Sequence, residues 1–427
     1  MIGRRHVVWR MGIVGLLIVV GGTTWRIGAA GAEVGDGQAP RQAAATIVAD
    51  DQLLDLSQLA LQDDAAVSEP AIQRLRQQGP DAVEFLMSRP DLRKSPRWSA
   101  VLDAVAQQKD AEYSGLYWHT DLEQALAVAK REKKPILSLR LLGNLTDELS
   151  CANSRFFRTA LYPNSGVRGL LASQFVLHWQ SVRAVPIITI DFGDGRQIRR
   201  TITGNSLHLV LDGQGRTIDV LPGLYAPAAF AQELQQLAAA APGLGALGES
   251  AFLARRTAYH RDRLQLRRQT WDDLCRTAKL TAPLAIGVNH DPAVWSSIAK
   301  QTADHPVLDT TARRAVIERG PPAAEVAGRL ALSKSITETP AMVLIRNVTR
   351  FINEDSVRNE YDLHVQIHNW FAAKQPVPER EVLVRRIYSD LFLSPVDDPW
   401  YGLSRPDVFS AIKNDGRIDA VTQNAGH

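Results

Sequence analysis

Only two cysteines, Cys151 and Cys275, occur in 427 residues. So few thiols exclude a disulfide framework as the source of stability, and the chain must rely on a buried core. A single Cys151–Cys275 bridge stays open. There is no excess of charge of either sign: Lys plus Arg number 49 and Asp plus Glu 46, a net of +3. The basic residues form no dense stripe, so nucleic acid is not expected as a partner. The chain has no Gly-rich phosphate loop, no Gly-x-Ser-x-Gly elbow and no His-Glu-x-x-His helix. Gly193-x-Gly195 and Gly213-x-Gly215 sit in hairpin contexts and are not nucleotide fingerprints. What is present is ordinary for a globular protein: 45% hydrophobic and 22% charged residues,.

The N-terminus has its own order. Arg4, Arg5 and Arg10 precede an apolar stretch from Met11 to Gly22, and Ala30-Gly31-Ala32 offers small residues for cleavage. This pattern predicts a secretory signal peptide over residues 1–32, and hence a periplasmic or other extracytoplasmic protein. The apolar stretch is shorter than the ~20 residues of a spanning helix, so no membrane span is expected after cleavage. The alternative is an uncleaved N-terminal anchor. No cysteine near the cleavage site marks a lipoprotein. Arg4-Arg5 partly matches a twin-arginine signal, which leaves the export route open.

Residues 33–50 are rich in Ala, Gly, Gln and Asp and read as a linker. Residues 51–112 carry helical periodicity, broken at Gly79-Pro80. Residues 113–241 alternate between helix and strand. Thr120-Asp121-Leu122-Glu123 reads as a capping box, and the basic run Lys130–Lys134 closes the helix it opens. PILSLRLL and FVLHWQSV read as strands. Two hairpins follow, turning at Asp194-Gly195 and at Asp212–Gly215, and PAAFAQELQQL closes the segment as a helix. Residues 242–427 are almost wholly helical in pattern, with a Pro- and Trp-rich tail from Val396 expected to wrap the surface. The fold class expected is a mixed α/β sheet with flanking helices over 113–241, followed by a mainly α-helical C-terminal domain.

Three pieces of 113–241 carry a family resemblance: LEQALAVAKREKKPIL, then Cys151-Ala152-Asn153-Ser154 at the start of the next helix, then LHLVLDGQGRTIDVLPGLYAPAAFAQEL. In this order they resemble the thioredoxin-like family, with Ser154 where the family has its second cysteine. The resemblance implies thiol–disulfide chemistry, with Cys151 as nucleophile and Ser154 as a hydrogen-bond donor to its thiolate. The partners implied are thiols or disulfides of exported proteins. A helix N-terminus and the nearby Arg155 and Arg158 would favour the thiolate. A Cys-x-x-Ser site cannot release a mixed disulfide by itself and would need a second thiol. The chain departs from the family in the long loop GNLTDELS, in having no Trp before the cysteine, and in Gly204-Asn205-Ser206-Leu207, where the family has a cis-proline. The alternative reading of Cys151 is a small buried residue under a helix start, in a binding or scaffold protein without redox work.

A second constellation lies in EDSVRNEYDLHVQIHNWF. At about 100° per residue, Glu360 and His364 fall in the apolar face and His368 at its margin, with Asp362, Gln366 and Asn369 opposite. Glu360, His364 and His368 thus form a candidate set for a divalent metal if another segment adds a ligand. The other reading is a hydrogen-bonded core network, with Arg358 or Asn359 bridging to a neighbouring helix. Either way, these side chains are expected to be shielded, with polar partners elsewhere in the fold. His119, His178, His208, His260 and His290 show no partners at ligand spacing and are read as structural or exposed.

Overall fold

The computed structural model describes residues 39–202, 204–281, 283–302, 307–320, 340–373, 378–404 and 411–417. The expected signal segment, residues 1–32, lies outside them, as do residues 33–38 of the expected linker. The chain divides into Met1–Ala49 and Asp50–His427. Helix α1 (Ala39–Ala60) enters the stretch read as linker. Its first turns hold Ala39, Ala43, Ala44 and Ala45, and alanine is the strongest helix former.

Helices α2 (Ala65–Gln77) and α3 (Pro80–Ser88) meet at the expected break. There Gly79 takes a φ of 68°, and Pro80 fills the first helical position, where no N–H is needed,. With α4 (Trp98–Ala106) and the short α5 (Ala111–Ser114) they enclose a small core around Leu75, Leu86, Trp98 and Leu102.

Helix α6 (Leu122–Glu132) starts one residue later than the capping box implies. The Asp121 carboxylate, and no hydroxyl of Thr120, accepts from the Glu123 and Gln124 N–H groups. Strand β1 (Ile136–Leu142) follows, buried along its whole length. Next come α7 (Ala152–Phe156), a π-helical turn at Phe157–Leu161, and α8 (Ser165–Gln174), capped by Asn164. Strand β2 (Val176–Arg183) pairs parallel to β1. Strands β3 (Ile187–Asp191) and β4 (Gln197–Thr201) form a separate exposed hairpin. Strands β5 (Leu207–Leu211) and β6 (Thr217–Pro222) complete a four-stranded mixed sheet in the order β2-β1-β5-β6, with β5 antiparallel to both neighbours.

Helix α9 (Pro227–Gly245) and the long α10 (Glu249–Thr277) follow the sheet, then α11 (Pro292–Ala299) and α12 (Thr310–Arg319). The next rod has three parts: α13 (Pro340–Arg358), a π-helical turn at Asn359–Leu363, and α14 (His364–Ala372). Helix α15 (Arg380–Arg386) runs into a third π-helical turn at Ile387–Leu391. One hydrophobic core takes in Leu139 and Leu209 of the sheet, Phe230 of α9, Ile367 of α14, and Ile387, Tyr388 and Tyr401. Packing is therefore continuous across residue 241, where the sequence suggests a boundary. No helix among the described residues is long and apolar enough to cross a membrane.

Candidate functional site

Cys151 is the residue before the first turn of α7, and its side chain has 0% exposure. The strand β1 ends at Leu142, and the Cys151 N–H returns to the Leu142 carbonyl at 3.2 Å. Sγ lies 2.9 Å from Ser206 Oγ, on the residue just before β5, and 3.4 Å from Ser154 Oγ. Ser154 Oγ is also 2.8 Å from Ser150 Oγ and from the Cys151 carbonyl, so these acceptors compete with the sulfur for its one proton,.

Both arginines give their hydrogen bonds to other groups, while Arg155 stays within Coulombic reach of Cys151. Arg155 donates to the Ser150 carbonyl (2.6 Å) and to Thr201 Oγ1 (2.8 Å). Arg158 is buried, ion-paired with Asp110 (3.1 Å), and donates to the carbonyls of Leu145, Asp147 and Glu148. Arg158 thus shapes the long loop between β1 and Cys151. A buried guanidinium needs such partners, since each unpaired donor would be costly.

The C-terminal segment closes this corner. Tyr388 Oη donates to the Asn205 carbonyl at 3.0 Å, and Asn205 Nδ2 reaches the Phe392 carbonyl and Ser394 Oγ at 3.4 and 3.3 Å. Burial pushes the Tyr388 and Tyr401 hydroxyls up from their ordinary range, and the neighbouring Cys151 adds to this. Both cysteines are free and buried. Cys275 lies on α10 beside Trp271 and Trp295, and burial, with Asp272, pushes its thiol up.

The second constellation is partly assembled as expected. His364 and His368 are both 0% exposed. They meet His260 of α10, expected to be structural or exposed and found buried among them, and Asp219 of β6, which the sequence pattern did not bring forward. His364 Nε2 lies 3.1 Å from Asp219 Oδ1, and His368 Nδ1 lies 3.9 Å from the same oxygen and 2.8 Å from His260 Nδ1. His260 Nε2 faces the Ile218 carbonyl at 2.9 Å. Burial brings the His260 imidazolium down to about 4 and that of His368 well below its ordinary value. Burial also opposes the Asp219 charge. The surrounding imidazoles and the His364 hydrogen bond outweigh it and hold the carboxyl well below its usual range.

Glu360 is not part of this cluster, which corrects its assignment as a ligand. It pairs with Arg267 at 3.0 Å and accepts from Ser356 at 2.7 Å. Arg267 and Arg263 in turn hold the buried Glu233 of α9 at 2.5 and 2.6 Å. The π-helical turn explains the difference. It spreads a turn over more residues than an α-helix does, so a uniform 100° projection loses register between Glu360 and His364. Asp362, projected outward, is buried as well, and its Oδ1 accepts from Gln366 Nε2 at 2.7 Å. No protein-family model, curated protein or solved structure matches the chain.

Proposed function

We propose that the chain is an exported thioredoxin-like protein that works as a binding or scaffold protein, with ordinary thiol exchange given up. The thioredoxin-like reading is supported by a cysteine at the helix start after β1, by β1 and β2 running parallel, and by a terminal hairpin and helix that complete the sheet. Export is supported by the order of residues 1–32 alone.

The observation that carries the functional reading is the enclosure of Cys151. A thiol attacks as the thiolate, from a site that a disulfide can reach. Here Sγ has no exposed surface, its hydroxyl neighbours are Ser154 and Ser206, and residues from the C-terminal segment tie down the loop beside it. The stretch Gly204-Asn205-Ser206-Leu207, where the resemblance implies a cis-proline lining the thiol site, holds no proline. Together these favour a thiol that packs and hydrogen-bonds over one that exchanges.

The test is incubation of the reduced, native chain with oxidised glutathione, read by intact mass and peptide mapping. The expected result is no glutathione adduct on Cys151 until the chain is unfolded. An adduct formed on the folded protein would overturn this reading and restore the thiol-exchange one.

A further inference from the structure

We propose that Asp219, His260 and His368 bind one divalent transition-metal ion, with zinc as the best match to the donor set. The inference is independent of the thiol reading. Three elements distant in sequence, β6, α10 and α14, bring these side chains together in the interior, each with 0% exposure. One ligand atom from each lies within 4.8 Å of the other two. An ion about 2.0–2.2 Å from its ligands would part the two Nδ1 atoms from 2.8 Å to about 3.3 Å and draw the Asp219 carboxylate in from 3.9 Å,.

The chemistry of the rings points the same way. His260 Nε2 donates to the Ile218 carbonyl, which leaves Nδ1 with a lone pair aimed at His368 Nδ1, 2.8 Å away. An imidazole that gives its other N–H to a backbone carbonyl is the usual arrangement of a metal-bound histidine. His368 Nδ1–H donates to that lone pair, so metal would replace this bond and move the proton to Nε2, which is buried with no hydrogen-bond partner among the described residues. The carboxylate is held in place from outside the cluster. Asp219 Oδ1 accepts from the Val220 N–H at 2.7 Å and faces His364 Nε2 at 3.1 Å, and His364 Nδ1 is in turn 3.2 Å from Tyr225 Oη. His364 is therefore a positioning residue, and its partners Asp219 and Tyr225 fix its ring. Two nitrogens and one oxygen suit zinc and neighbouring divalent ions better than calcium or magnesium.

Because the site is enclosed, metal would enter as the chain folds. The test is to unfold the full chain in chelator and refold it with zinc chloride, with cobalt chloride, or with neither, then dialyse and count metal per chain. The proposal expects one zinc retained, a higher melting temperature than the metal-free product, and visible ligand-field absorption from the cobalt form. Asp219→Asn and His260→Gln should lose the ion, and Glu360→Gln should keep it. X-ray absorption at the zinc edge of the unmutated chain serves if a variant does not refold, and two imidazoles in the first shell are expected. The proposal is overturned by substoichiometric metal with an unchanged melting temperature, by full retention in the Asp219 and His260 variants, or by a first shell without imidazole.

Discussion

Several single side chains in the sheet region take their properties from enclosure. His208 packs against Phe157 and Phe230 and meets Tyr162 Oη at 2.8 Å. His178 sits on the opposite face of the sheet with its Nδ1 2.8 Å from Ser138 Oγ. Burial lowers each imidazolium to about 3, with nearby Arg140 and His119 adding to the effect at His178. The sign of the consequence follows. Both rings are neutral when folded, while the unfolded chain takes up protons as pH falls below about 6.5. Each ring should therefore lower stability between about pH 6.5 and 3, by up to about 1.4 kcal/mol per pH unit. Urea unfolding at pH 7.5, 6 and 4.5 should show the loss, and His208→Gln, which keeps a partner for Tyr162, should show a shallower one. Equal slopes for the two proteins would mean that His208 is not held neutral.

At the scale of elements, the π-helical turns recur beside the chemistry. Phe157–Leu161 carries Arg158, Asn359–Leu363 leads into His364, and Ile387–Leu391 carries Tyr388 to the Cys151 corner. Such turns shift a helix face by part of a turn and are frequent at functional sites. They also limit what periodicity can reveal. The four-strand sheet, the break at Gly79-Pro80 and the long C-terminal helices were legible, because alternation and the 3.6 period are strong signals. The burial of His364 and His368 was legible too. The loss of Glu360 from their side was not, since no pattern of residue types marks a π-turn. Asp219 and His260 left fainter marks. Asp219 is a lone carboxylate in the strand TIDVLP, and His260 shares a stripe on α10 with Arg256, Arg263 and Arg267, all buried.

One glycine couples the sheet to the second π-turn. Gly223, just past β6, takes a φ of 72°, and a Cβ there would fall 2.4 Å from Asn359 Nδ2. Asn359 uses that nitrogen to reach the Leu224 carbonyl at 2.7 Å. Gly223→Ala should cost about 1–2 kcal/mol from the left-handed backbone alone, and more from displacing Asn359. Thermal melts of the single and double variants check this: in an Asn359→Ala background the Gly223→Ala cost should shrink toward the backbone part. Fully additive costs would show that the two residues are not in contact.

At the scale of the whole molecule, the sheet, its flanking helices and the C-terminal segment share one core. Arg183 of β2 donates to the Val396 and Asp398 carbonyls at 3.1 and 2.7 Å, and Arg140 of β1 pairs with Glu381 of α15 at 2.9 Å. The C-terminal segment is thus part of the structure that encloses the thiol, and its release should require loss of these ties. The most direct measurement is alkylation of Cys151 in the reduced full chain across a urea series, quantified by peptide mass spectrometry beside the unfolding curve from tryptophan fluorescence. Modification of Cys151 should be negligible in the native baseline and rise together with global unfolding. Rapid modification without denaturant, while the fluorescence still reports the folded chain, would contradict the account.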